Sequence, residues 1–381
     1  MSGINTTNTV YLKALTPVHV GGAQEKNLQK GQDYVQLGDG KTWKLDWSKI
    51  YKHYDVDKIS TAILNNKVLR LIENHIEEVA IEIEQSFGDT GVIKAFIRDG
   101  MGVPYIPGSS IKGAMKSWLH SALEEQFQLG RTGDLLGNFE NDIFRFISIT
   151  DCYLDLEPIL YPTKTFNLFK SGSEWEGGWK HALHNNTNRD FKTTGFVTDY
   201  ESMAPNDVGS LEIKLRKPLD ASFKNKLYRK DSNQEKSYHS IFNGDSLRSL
   251  FSILNKKVCN HIEKELHFFK RFNQAEYANE ILDSFYQLQS MCKNLSEEQC
   301  ILRISAGSGF HGISGDFQFD DHIDTGMWTI EDAGKYRLPK RLHGKYIGHY
   351  LKFKSRKIAF TPNAMYPMGF VLLSEKSFEA E

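Results

Sequence analysis

The sequence has 381 residues, enough for one large domain or two ordinary ones with a sizeable core. With 40% hydrophobic residues, 25% charged residues and a net charge of −1, it is not a disordered chain, a collagen or a coiled-coil rod. Its apolar runs are far shorter than the roughly 20 residues of a membrane span, so we expect no membrane partner. Residues 1–9 lack the features of a signal peptide. The four cysteines form no CxxC pair and no disulfide scaffold, which favours the reducing cytoplasm.

The residue pattern predicts strands and helices that alternate irregularly. The predicted strands lie at residues 10–15, 34–37, 42–46, 93–97, 145–150, 211–216, 300–304, 357–361 and 370–373. The predicted helices lie at residues 59–87, 111–126 and over most of 242–293. Residues 170–188, rich in Gly, Ser, Asn and Trp, are predicted to form a loop or flexible hairpin. This order favours an α+β fold with antiparallel sheets.

The segment around the start of the helix predicted at 111–126 is a candidate anion site. Ser109 or Ser110 could cap the helix, and the free N–H groups of a positive helix end attract phosphate. Lys112, Lys116 and His120 follow at intervals of four residues and form a row along which further phosphates could lie. An ordinary capped helix with exposed lysines explains the same pattern, and both interpretations stay open.

A glycine-rich stretch follows the strand predicted at 300–304. It contains Gly307, Gly309 and His311 within a literal GxGxxG pattern. A dinucleotide site would need a helix to open there, and no helical apolar period follows. A backbone that approaches a sugar-phosphate chain closely fits the pattern better.

The basic run 335–357 contains nine Lys or Arg residues and no acid, whereas residues 311–334 contain six acids and no Lys or Arg. Nine uncompensated positive charges repel one another unless an anion neutralises them. Interleaved tyrosines and phenylalanines would offer surfaces on which bases stack. We therefore expect Lys340, Arg341, Arg356 and Lys357 to contact single-stranded RNA or another anionic partner.

His19 follows the first strand in a tight turn and raises the question of catalysis. A ribonuclease could use such a histidine as an acid or base together with a lysine. A structural or merely RNA-contacting histidine is the simpler interpretation. We find no Ser/His/Asp or Cys/His set that the sequence alone can join, and no spacing typical of a metal site.

Five segments together resemble the RAMP proteins of CRISPR–Cas systems. Residues 15–22 resemble their opening signature, 105–114 their central signature, 149–152 the strand that follows it, and 307–315 their glycine-rich loop. The closing segment 366–373 is similar to one subgroup, the fifth Csm subunit, which lies at the 3′ end of the crRNA in type III-A effector complexes.

The resemblance implies an α+β fold of two ferredoxin-like, RRM-related modules with inserted helices. We expect an N-terminal module over residues 1–220, with a helical insertion at 55–90. The C-terminal module would cover residues 221–381 and carry the glycine-rich loop at 306–315. Residues 170–188, with Trp175 and Trp179, could then form a thumb-like insertion or a surface loop.

The resemblance further implies a crRNA-binding subunit that has no catalytic residue, metal or cofactor and that caps the backbone filament. Expected partners are the crRNA, mainly its 3′ part, the target RNA nearby, the backbone RAMP subunits and host nucleases that trim the crRNA. The expected RNA contacts are His19, Gly21, Gly22, Ser109, Ser110, Lys112, Lys116, Gly307, Gly309, His311, Lys340, Arg341, Arg356 and Lys357.

Two alternatives stay open beside this expectation. A RAMP endoribonuclease could process precursor crRNA through His19 and a lysine such as Lys112. The chain could also be a RAMP subunit of another type III complex.

Overall fold

The computed structural model describes residues 5–22, 27–38, 41–83, 92–127, 135–137, 141–172, 174–182, 187–216, 232–243, 246–304 and 355–378. The strands are β1 (Asn5–Ala14), β2 (Leu28–Gln29), β3 (Tyr34–Gln36), β4 (Thr42–Leu45), β5 (Ala80–Ile83), β6 (Val92–Lys94), β7 (Tyr105–Ile106), β8 (Ile147–Ile149), β9 (Cys152–Leu154), β10 (Ile159–Ser171), β11 (Glu174–Lys180), β12 (Thr187–Asn188), β13 (Val197–Ser202), β14 (Val208–Arg216), β15 (Gln299–Arg303), β16 (Arg356–Thr361), β17 (Ala364–Pro367) and β18 (Phe370–Ser374). The helices are α1 (Trp47–His53), α2 (Val56–Leu64), α3 (Val68–Ile72), α4 (Ile76–Val79), α5 (Gly108–Phe127), α6 (Asn233–Ile241), α7 (Arg248–Arg271) and α8 (Ala278–Lys293).

Sheet 1 has the strand order β15-β18-β1-β14-β9-β7, with β8 also paired to β14. Its central strands β1 and β14 are antiparallel, and Val10 lies opposite Leu211. Val10, Leu12 and Ala14 alternate along β1 and are fully buried, because this face of the sheet carries α5 and α7. Trp118 of α5 donates its indole N–H to the backbone oxygen of Arg303 in β15 at 3.1 Å, which joins this helix to the sheet.

Sheet 2 has the strand order β12-β11-β10-β13-β6-β2, with β16 also paired to β10 and β17 paired to β16. Both sheets thus combine strands from before and after residue 220. The α+β prediction is confirmed, and most of the strand pairs are antiparallel. The predicted division into modules at residue 220 stays a prediction. None of the helices in the described part of the chain is long and apolar enough to cross a membrane.

The prediction of one long helix over residues 59–87 is wrong. The chain forms α2, α3, a 3₁₀ turn at Glu73–His75 and α4, and then enters β5. Asn66, at φ 53°, adopts the left-handed conformation that ends α2. All four residues of β5 pair with β4, so a strand stands where the sequence predicted the helix to continue. Sheet 3, with strand order β3-β4-β5, shares a separate small core with these helices.

Residues 170–188 were predicted to form a loop or a flexible hairpin, and their described part forms a hairpin. They contribute β11, which forms a hairpin with β10, and Trp179 is fully buried against Phe166 with ring centroids 5.3 Å apart. A Cβ at Gly177 would lie 2.6 Å from the Phe166 ring and 2.7 Å from the carbonyl oxygen of Phe272. Only glycine fits this close approach, so the glycines that suggested a loop serve packing instead.

Helices α7 and α8 are joined by a disulfide between Cys259 and Cys292, whose Cα atoms are 5.9 Å apart. This bond was not expected from the sequence, whose four cysteines suggested no disulfide scaffold. Cys152 and Cys300 are buried free thiols, and burial raises the pKa of Cys152 to about 12, with a smaller contribution from Asp155.

Candidate RNA-binding surface

The opening motif at residues 15–22 links the two large sheets. The hydroxyl of Thr16 accepts from the backbone N–H of Phe370 at 3.0 Å, and the carbonyl of Pro17 accepts from Gly369 at 2.9 Å. Gly21 is exposed and forms an isolated β-bridge with Phe96, and Gly22 is half-buried. The opening and closing motifs are therefore neighbours in space although they lie at opposite ends of the sequence.

His19 is buried beside β13, and its lowered pKa keeps the ring neutral at physiological pH. Its Nδ1 lies 2.7 Å from the backbone oxygen of Glu201, and its ring meets Tyr200 edge-on at 4.8 Å. Burial lowers the pKa of His19 to about 4; the Glu201 carbonyl opposes this shift, and the charges of Lys357 and Lys94 add to it. The proton sits on Nδ1, because a carbonyl oxygen can only accept. These contacts support a structural role, and the predicted RNA contact stays a prediction.

The start of α5 differs from the prediction, because neither serine caps it. The helix begins at Gly108, whose N–H donates to the Asp151 carboxylate at 2.8 Å. A Cβ at Gly108 would lie 2.2 Å from the carbonyl oxygen of Ile149, so the central motif requires glycine for close packing. Ser109 is exposed and Ser110 half-buried in the first turn. A carboxylate of the chain itself thus already lies at the predicted phosphate site.

The predicted row of basic residues exists on α5 but is largely paired within the chain. Lys112 donates to the backbone oxygen of Ile147 at 2.6 Å, and Lys116 forms an ion pair with Asp142. Burial lowers the pKa of Lys112; Asp142 raises it and Lys116 lowers it. His19 and Lys112, paired in the endoribonuclease hypothesis, bond to different strands. The row therefore offers RNA less free positive charge than the sequence suggested.

Arg356 and Lys357 lie on opposite faces of β16. Arg356 is buried and makes two hydrogen bonds of 2.8 Å to the carboxylate of Glu265, while its guanidinium lies 3.3 Å from the centre of the Phe268 ring. This arrangement is a core ion pair and argues against RNA contact by Arg356. Lys357 instead reaches the hydroxyl of Tyr200, 2.6 Å away, on the solvent side of sheet 2.

The remaining predicted contacts, Gly307, Gly309, His311, Lys340 and Arg341, lie outside the described residues, as does the glycine-rich loop at 306–315. They stay predictions. Within the described ranges, no group of three or more His, Cys, Asp or Glu side chains is arranged to hold a metal ion.

The solvent face of sheet 2 carries a cavity of about 400 Å³ that the sequence analysis missed. We call it the sheet 2 groove; its lining residues include Thr165, Asn167, Lys180, Phe196, Tyr200 and Lys357. Lys180 was not among the predicted contacts, because residues 170–188 were predicted to form a loop or a flexible hairpin and not a strand of a large sheet. The alternation of Trp175, Gly177 and Trp179 with charged or small residues was the available signal for a strand with a solvent face.

A family model of the RAMP superfamily matches residues 11–309. Among solved structures, the chain resembles a chain of a cryo-EM structure of a Csm–crRNA–target RNA ternary complex in a type III-A CRISPR–Cas system, at a TM-score of 0.61 and 18% identity, covering 97% of this chain and 100% of that chain. It also resembles the crystal structure of T. onnurineus Csm5, at a TM-score of 0.54 and 15% identity, covering 95% and 99%. A comparison with curated protein sequences gives no match. Because the family model extends over well more than half of its length, the chain belongs to the RAMP superfamily.

Proposed function

We propose that the chain is a non-catalytic crRNA-binding subunit of a type III-A Csm effector complex, acting in the cytoplasm. The observation that supports this most is the likeness in fold to the chain from the Csm–crRNA–target RNA complex, which extends over nearly the full length of both chains. A RAMP protein that shared only one module with such a subunit would leave part of either chain unmatched.

Within the complex, the chain caps the backbone filament at the 3′ end of the crRNA, close to target RNA and to the host nucleases that trim the crRNA. Its likeness in fold to Csm5 supports this position. A cap has one surface for a backbone subunit, so the pure chain is expected to be monomeric and to join each complex once.

Affinity purification of the chain, expressed together with the other subunits and the CRISPR array, tests this proposal. We expect the backbone RAMP subunits to co-purify, one copy of the chain per complex by native mass spectrometry, and crRNAs with shortened 3′ ends to be enriched. Expression without the array is the control for RNA recovery. Failure to co-purify with backbone subunits, or an open-ended homopolymer of the pure chain with RNA, would contradict it.

The endoribonuclease alternative has its own test. The purified chain is incubated with repeat RNA in the absence of metal, beside the His19→Ala variant. We expect no cleavage by either, since the ring of His19 is buried and hydrogen-bonded to Glu201. Specific cleavage that His19→Ala abolishes would establish the enzyme instead.

A further inference from the structure

The sheet 2 groove has the charge of an anion site. Lys180 and Lys357 reach it from β11 and β16, on either side of β10, and none of the described residues that line the groove is acidic. Thr165 lies between them, directly opposite Lys357 in the register of β10 and β16. Two ammonium groups without a lining carboxylate favour a bound anion, and a phosphate is the anion that RNA supplies.

Both ammonium groups are held in place by aromatic rings. The Nζ of Lys180 lies 4.3 Å from the centre of the Phe196 ring, and the Nζ of Lys357 lies 4.9 Å from that of Tyr200, whose hydroxyl it also contacts. A lysine fixed in this way loses less side-chain entropy when it binds a ligand than a free surface lysine does. The groove is therefore prepared for a phosphate before one arrives.

The floor of the groove carries an acceptor that lacks a donor. The side-chain oxygen Oδ1 of Asn167 is buried and has no hydrogen-bond partner among the described residues. A buried acceptor without a partner is costly, and a ligand hydroxyl that reaches it after a small rotation of the Asn167 side chain relieves that cost. The ribose 2′-hydroxyl is such a donor and distinguishes RNA from DNA.

We propose that the sheet 2 groove binds one nucleotide of a single-stranded RNA, with its phosphate between Lys180 and Lys357 and its 2′-hydroxyl donating to Asn167. The volume of about 400 Å³ is in the range of small-ligand sites, about 300–1,000 Å³, and is too small for a duplex. This inference rests on the proposed RNA-binding function and assigns it a place on the fold.

The test measures binding of a fluorescent ten-nucleotide oligouridine by anisotropy at several salt concentrations. The Lys180→Ala/Lys357→Ala variant should reduce the log–log salt slope by about 0.7 if both lysines share a phosphate and by about 1.4 if each holds its own. The matched control is Lys52→Ala/Lys58→Ala, which removes two exposed lysines from α1 and α2. That control should keep the wild-type slope.

The second arm tests the ribose. Asn167→Ala should weaken binding of the RNA about two- to tenfold while leaving the affinity for the matching oligothymidine unchanged. Thermal melting of each variant verifies that it remains folded. A loss of both affinities in parallel, or of neither, would overturn the assignment of the 2′-hydroxyl.

Three further results separate this inference from the proposed function. If the lysine variant keeps both affinity and slope while the chain still co-purifies with backbone subunits, the groove assignment is wrong and the function stands. If uridine monophosphate binds with the same affinity as the oligonucleotide, the groove is a free-nucleotide site and the RNA assignment is overturned. If the wild-type chain binds no oligonucleotide, the groove is not an RNA site, whatever complex the chain joins.

Discussion

The buried ion pair between Arg356 and Glu265 offers the sharpest test of how the core is held together. Both side chains are almost fully buried, and their two hydrogen bonds measure 2.8 Å each. Arg356→Met removes two charge-assisted bonds, each worth about 1.5–3 kcal/mol, from the buried carboxylate of Glu265. The expected loss in free energy of unfolding is about 3–5 kcal/mol, the usual cost of breaking a buried pair.

The assay is urea unfolding followed by tryptophan fluorescence, for which the buried Trp118 and Trp179 are suitable probes. The double variant Arg356→Met/Glu265→Leu should recover only part of the loss, because two apolar side chains replace the pair but the buried charge of Arg303 loses the carboxylate that raises its pKa. A single variant within about 1 kcal/mol of the wild type, or a double variant no better than the single one, would refute the reasoning. A drop of about 0.7 in the RNA salt slope at full folding would instead favour the RNA contact predicted from the sequence.

Three other predictions concern Gly108, His19 and the disulfide between Cys259 and Cys292. Gly108→Ala should destabilise the fold by several kcal/mol, because the added Cβ would overlap a backbone carbonyl. Gly113→Ala on the same helix meets nothing within 4 Å and should be neutral or stabilise the fold by up to about 1 kcal/mol. Urea unfolding compares the two variants, and equal effects would contradict the close packing at Gly108. Because the pKa of His19 is lowered to about 4 in the folded chain, the unfolded chain binds a proton at higher pH than the folded one does. The free energy of unfolding should therefore fall by up to about 3 kcal/mol as the pH drops from about 6.5 towards 4, and His19→Asn should reduce this loss. Titration of His19 near pH 6.5 in the folded chain, followed by NMR, would contradict this prediction. Thiol titration of the non-reduced, denatured chain should find two thiols rather than four, and Cys259→Ser/Cys292→Ser should lower the free energy of unfolding by about 3–4 kcal/mol; four reactive thiols would show that the bond does not form.

Patterns repeated along one element were readable from the sequence. The helix predicted at 111–126 is α5, because Ile111, Met115 and Trp118 recur at helical spacing and all three are buried. The strands predicted at 34–37 and 42–46 pair as the hairpin β3–β4 for the same local reason. Such elements can be predicted from local spacing because the period of a helix or strand determines which of its side chains are buried.

Features that depend on distant contacts were not readable. A hairpin was one of two alternatives for residues 170–188, but its burial depends on Trp179, whose indole N–H donates to the carbonyl of Glu276 far along the chain. Arg356 and Lys357 were treated alike as RNA contacts, yet a strand sends neighbours to opposite faces, and only the fold shows that one face is core. Had the strand predicted at 357–361 been started at Arg356, the alternation of side chains along it would have placed Arg356 and Lys357 on opposite faces.

The position of β18 in sheet 1 has a consequence for how the chain folds during synthesis. β18 lies between β15 and β1, with Leu373 opposite both Cys300 and Leu12. It is made after every other described strand of this sheet, so the edges of β1 and β15 that pair with it stay unpaired until residues 370–374 have left the ribosome. Such edges recruit other strands, which makes the nascent chain prone to mispairing during this interval. The last strand of sheet 1 is therefore inserted between two strands that already exist, and is not added at an outer edge of the sheet.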